Sequence, residues 1–86
     1  MKMGGIIESL MFRMNDKNVL PLELPRLIKD VLIIINEARE HTLESVNLRL
    51  SQKGWQEDVL DPYTFDLILQ FLEIKGDYRF IRHSVH

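Results

Sequence analysis

The stretch from Asp61 to Gly76 constrains the fold more than any other part of the chain. Asp61 suits a helix N-cap, because its carboxylate can accept a hydrogen bond from a free backbone N–H of the first turn. Pro62 suits the first helical position, where a missing N–H costs nothing. Gly76 suits the left-handed residue that commonly follows a helix. The sequence therefore predicts a helix over 62–75.

Most of the circumference of this predicted helix is apolar, and its polar remainder is a narrow strip. The strip consists of Asp66, Gln70 and Glu73. A helix that is apolar on most sides is buried on more than one side. We therefore expect protein to enclose it, either a second copy of the chain or the chain's own first helix folded back onto it.

Three further helices are predicted from apolar periodicity and from end signals. The first spans 5–14, and Ile6, Ile7, Leu10, Met11 and Met14 share one side of it. The second spans about 25–40 and carries a broad aliphatic stripe, with Ile33 lying apart on the polar face. The third spans 43–53, with Thr42 as N-cap and Gly54 and Trp55 forming a Schellman ending.

Two segments are predicted to be extended. Pro21 and Pro25 argue against a helix over 19–25, which leaves a connector or an edge strand. The tail over 77–86 favours a strand, because Tyr78, Phe80 and Ile81 have high β-propensity. The fold class is therefore mainly α: a small bundle of about four helices with a short C-terminal β-strand.

Size and composition limit what such a chain can do. With 86 residues it is expected to form one domain, in which the first helix precedes a three-helix core over 25–76. A formal charge of −2 excludes a general polycation, and without cysteine there are no disulfides or thiolate sites. The longest aliphatic run, Val31 to Ile35, is far shorter than the roughly 20 residues of a membrane span. Glu8 interrupts the apolar start before it reaches signal-peptide length, so the expected location, by elimination, is the cytoplasm.

No group of residues in the sequence favours catalysis. No glycine-rich phosphate loop and no serine–histidine arrangement is evident. His83 and His86 would point to opposite faces of a strand, which does not suit a metal ion. We therefore expect no enzyme activity, no cofactor and no metal, and no small-molecule substrate is evident.

The order of elements resembles the winged helix-turn-helix superfamily over residues 24–82. A helix, a tight turn, a second helix, a loop, a third helix and a strand follow one another. The residues that carry the likeness are Thr42-Leu43, Val46, Leu50, Asp61-Pro62, Leu72, Gly76 and Tyr78-Arg79-Phe80-Ile81. The chain departs from the family in having one predicted strand where a wing has two. Its helix over 62–75, at the position of a recognition helix, is also acidic.

Two hypotheses for function follow. The leading one is a non-catalytic protein interaction or regulatory domain that forms a homodimer, because so much apolar surface would gain from a partner. Its expected contact residues are Met11, Met14, Ile33, Phe65, Leu69 and Phe71. The alternative, which the resemblance implies, is a DNA-binding transcriptional regulator. Its expected contacts are Arg49, Lys53, Gln70, Arg79 and Arg82.

Overall fold

The computed structural model describes residues 3–37 and 42–76 of the chain. A short 3-10 helix, Pro21–Glu23, precedes the second of four α-helices, which are α1 (Met3–Asn15), α2 (Leu24–Glu37), α3 (Leu43–Gln52) and α4 (Pro62–Lys75). The prediction of a mainly helical chain with about four helices is confirmed. The described residues contain no strand, but the predicted strand over 77–86 lies outside them. The winged-helix likeness therefore stays a prediction.

The helices pack in two pairs around one apolar core. α1 packs against α4, and α2 packs against α3. Ile6, Leu10 and Met14 place one face of α1 in the core, where Leu67, Ile68 and Leu72 of α4 are also buried. The enclosure expected for the 62–75 helix thus comes largely from the first helix of the same subunit. The Asp66–Gln70–Glu73 strip of α4 faces solvent.

Helix starts follow the predicted capping residues. The Thr64 N–H donates to Asp61 Oδ1 over 2.7 Å at the start of α4. The Ser45 N–H donates to Thr42 Oγ1 over 3.1 Å at the start of α3. Each cap supplies a partner for one of the free donors of a first helical turn, which is worth about 1 kcal/mol.

The end of α3 is the Schellman motif that the sequence predicts. The Trp55 N–H donates to the Leu50 carbonyl and the Gly54 N–H to the Ser51 carbonyl, both over 3.1 Å. Gly54 has φ +107°, which side chains rarely tolerate. Trp55 is buried, and its indole Nε1 donates to Asp30 Oδ2 of α2 over 2.8 Å. The helix end is therefore joined to α2 by a side chain as well as by the core.

The linker between α3 and α4 is held by Asn47. Its Nδ2 donates to the Leu60 carbonyl over 2.9 Å, and the Leu60 N–H donates to its Oδ1 over 3.1 Å. Val59 and Leu60 are buried and belong to the same apolar core as the helices. Asn47 is also buried, so both backbone groups of Leu60 depend on one amide side chain.

The prediction that 19–25 contains no helix is wrong. Pro21–Glu23 forms the 3-10 helix, and α2 begins at Leu24. Pro21 stands at the first position, where a helix needs no N–H donor. The Glu23 Oε1 accepts the Leu20 N–H over 3.0 Å, so this start is capped as well. The turn and Pro25 lead directly into α2.

Candidate interaction surfaces

Two of the predicted contact residues lie in the core. Met14 is 1% exposed and Phe65 is 9% exposed, so neither side chain has the exposed surface expected of a contact residue. α1 covers α4 within the subunit, and both side chains pack into that shared core. Ile33 and Leu69 are half-buried. The apolar surface that remains open therefore differs from the one expected from periodicity.

Met11 and Phe71, two other predicted contacts, lie together in a half-open apolar groove. The groove has a volume of about 460 Å³. Three helices and the 3-10 helix line it with Ile7, Met11, Pro21, Leu24, Pro25, Ile28, Lys29, Leu32, Phe71, Leu72 and Lys75. We call it the α1–α2–α4 groove. Its walls come from segments far apart in the sequence.

The charge of the α1–α2–α4 groove has one sign. Among its described lining residues, Lys29 and Lys75 are the charged ones, and both are cationic. Lys29 comes from α2 and Lys75 from the last turn of α4. The remaining side chains are hydrocarbon, thioether or proline rings. The groove therefore combines apolar walls with positive charge.

A second surface, which we call the aromatic patch, lies where α1 meets the start of α4. Phe12 is 76% exposed and Tyr63 is 50% exposed. They line a shallow depression of about 320 Å³ together with Glu8, Ser9 and Arg13. Exposed aromatic side chains beside an arginine have the composition of protein interfaces. No pattern in the sequence predicts this patch, although Phe12 has polar residues three and four positions away on either side.

Arg13 fixes the geometry of the aromatic patch. Its Nε donates to Thr64 Oγ1 and its Nη2 to Asp61 Oδ2, both over 3.0 Å. Its guanidinium carbon lies 4.4 Å from the centroid of the Tyr63 ring, which is cation–π geometry. One side chain of α1 thus contacts the start of α4 in three ways and positions Tyr63, which lines the same depression as Phe12.

The Asp61 carboxyl is adapted to this arrangement. Burial raises its pKa, but hydrogen bonds from the backbone and side chain of Thr64, together with the Arg13 guanidinium, bring the pKa below its ordinary value. The carboxylate form is therefore favoured, and it serves both as the helix cap and as the partner of Arg13.

The residues expected to contact DNA are only partly described. Arg49 and Lys53 are exposed at the end of α3, whereas Arg79 and Arg82 lie outside the described residues. Gln70 is exposed, and its Nε2 donates to Asp66 Oδ2 over 2.8 Å. The amide that would read a base edge is thus beside a carboxylate, which disfavours approach of a phosphate backbone.

Two further searches concern other classes of site. In residues 3–37 and 42–76, no group of three or more histidine, aspartate or glutamate side chains is arranged to hold a metal ion. No helix of these segments is long and apolar enough to cross a membrane. Comparisons of the chain with protein-family models, with curated proteins and with solved structures give no match.

Proposed function

We propose that the chain is a non-catalytic interaction domain that pairs with a second copy of itself through the aromatic patch. The observation that carries this proposal is that Phe12 and Tyr63 are both exposed and line the same depression. Interfaces are enriched in aromatic and arginine side chains, and such residues supply most of the binding energy.

The charges of the aromatic patch favour a second copy as the partner. Glu8 and Arg13 line the same depression, and Arg13, although paired with Asp61, keeps 35% of its side chain exposed. A two-fold contact is reciprocal: if one residue of the first copy meets a second residue of its partner, that second residue of the first copy meets the first residue of the partner. Glu8 of each copy would then approach Arg13 of the other, and the two patches would be complementary. The α1–α2–α4 groove lacks this property, because a two-fold contact there would bring like charges together.

Sedimentation equilibrium of the whole chain tests the proposal. We expect a reversible dimer at high micromolar concentration. Phe12→Ser should weaken the dimer by about 10- to 100-fold, because an exposed aromatic anchor is lost. The fold should be kept, since the Phe12 side chain lies largely outside the core. A matched control is Leu48→Ser, which removes another exposed apolar side chain, at 61% exposure, from α3.

Charge reversal gives an independent test of the same surface. Glu8→Lys should weaken the dimer, because it would place a cation opposite the partner's Arg13. Glu44→Lys reverses an exposed acid on α3 and should leave the association unchanged. A wild-type chain that stays monomeric at high micromolar concentration contradicts the proposal, and so does a dimer that Leu48→Ser weakens as much as Phe12→Ser.

A further inference from the structure

From the α1–α2–α4 groove we infer a binding site for a single-chain amphiphile with an anionic head, of the medium-chain carboxylate class. This inference does not depend on the proposed dimer, because the groove and the aromatic patch share no lining residue. Two observations carry it: the size and apolar character of the groove, and the positive charge of Lys29 in its lining.

The volume of the groove suits one hydrocarbon chain. About 460 Å³ lies within the roughly 300–1,000 Å³ that small-molecule sites occupy. An amphipathic partner helix is about 10 Å wide and docks on such a groove from outside. Such a helix could place only side chains in the groove, whereas an acyl chain could enter it whole. Ile28 and Leu72 are buried beneath the opening and supply an apolar floor.

The charge of the groove selects the head group. Sites for small molecules are mostly apolar, with a few polar groups that fix the orientation of the ligand. Here that group is the ammonium ion of Lys29, and no acidic side chain lies among the described lining residues. A carboxylate would form charge-assisted hydrogen bonds with an ammonium group, whereas a cationic head would be repelled. A neutral hydrocarbon could accept no hydrogen bond from the ammonium group, so it is disfavoured as the natural ligand.

Titration of the whole chain with sodium decanoate, below the concentration at which it forms micelles, tests this inference. Binding is followed through the methyl resonances of isoleucine, leucine and valine side chains. We expect Ile7, Ile28 and Leu32 to shift, while Val46, which is buried away from the groove lining, does not. Each methylene should tighten binding about fourfold, so decanoate should bind roughly 15-fold more tightly than octanoate.

The head group and the groove are tested separately. Decyltrimethylammonium has the same chain and the opposite charge, and it should bind at least tenfold more weakly than decanoate. Lys29→Glu should weaken decanoate binding about tenfold, whereas Lys53→Glu, a charge reversal on α3, should leave it unchanged. Met11→Trp should block the groove, and because Met11 is half-exposed the core is spared.

Three results would overturn the inference. The first is an absence of groove methyl shifts with decanoate at millimolar concentration. The second is equal binding of decanoate and decyltrimethylammonium. The third is tighter binding, at the same methyls, of a synthetic helical peptide with leucines on one face and glutamates on the other, which would assign the groove to a protein partner. Each result can occur whether or not Phe12→Ser weakens the dimer.

Discussion

Replacement of Asn47 by alanine tests the linkage between α3 and the segment before α4. The side-chain amide of Asn47 is hydrogen-bonded to both the N–H and the carbonyl of Leu60, and both residues are buried. Alanine removes both partners at once. The backbone of Leu60 would then keep a donor and an acceptor without hydrogen bonds, in a place where water has little access.

The expected loss can be worked out from these two bonds. A buried polar group left without a partner costs about 1–3 kcal/mol, so two such groups cost about 2–6 kcal/mol. Alanine has a higher helix propensity than asparagine and offsets about 0.5 kcal/mol. Some relaxation of the linker lowers the upper figure, and we expect Asn47→Ala to reduce the free energy of unfolding by about 2–4 kcal/mol. That is a large fraction of the roughly 5–15 kcal/mol of a typical domain.

Urea unfolding followed by far-ultraviolet circular dichroism measures this loss. The control is Asn36→Ala, which removes an exposed asparagine from α2. A second variant, Asn47→Asp, keeps the acceptor for the Leu60 N–H but sets a carboxylate against the Leu60 carbonyl. The loss in its free energy of unfolding should become smaller as the pH falls towards the ordinary aspartate pKa of about 3.9, because the protonated acid can donate to that carbonyl. If the free energies of unfolding of Asn47→Ala and Asn36→Ala differ by less than about 0.5 kcal/mol, the two hydrogen bonds of Asn47 do not hold the linker.

Three further predictions concern Arg13, Asp61 and the DNA-binding alternative. Arg13→Met should lower the free energy of unfolding by about 1–3 kcal/mol relative to Lys53→Met. The loss comes from the hydrogen bond to Thr64 and the cation–π contact with Tyr63, because the partly exposed ion pair with Asp61 adds little. The pKa of Asp61 is lower in the folded chain than in the unfolded chain. Its contribution to stability is therefore complete above the unfolded pKa of about 3.9 and is lost as the pH falls through the folded pKa. Urea midpoints measured against pH should lack this loss in Asp61→Asn. Fluorescence polarisation with duplex DNA at low salt should show no binding, and salt-sensitive binding that Arg49→Glu weakens would instead favour a DNA-binding function.

The helix boundaries were predictable because their signals are local. Asp61 and Thr42 cap helices through a backbone N–H three residues away, and Gly54 is required by the φ of its own position. Such interactions need no knowledge of the tertiary fold. The two prolines at residues 21 and 25 do not exclude a helix there, since proline disrupts helix interiors but suits helix starts. Asn47 shares a face of α3 with the apolar Val46 and Leu50, and its partner Leu60 cannot be identified from spacing.

The surfaces were much less predictable than the helices. Apolar periodicity identifies the face of α1 that is buried, but it leaves open whether the first helix of the same subunit or a second copy covers α4. Met14 and Phe65 were therefore expected to serve an interface, although they belong to the core. Phe12 and Tyr63 become neighbours only through the packing of α1 on α4. A large aromatic residue between Glu8 and Arg13 was the one signal for this surface available in the sequence.

Intermolecular nuclear Overhauser effects test most directly whether the aromatic patch joins two copies of the chain. The sample is a mixture of isotope-labelled and unlabelled whole chains at high micromolar concentration, with a filter that passes only contacts between copies. We expect contacts between copies at the ring protons of Phe12 and Tyr63. Contacts confined to the groove residues Ile7 and Leu32, or no contacts together with a monomeric mass, would contradict it.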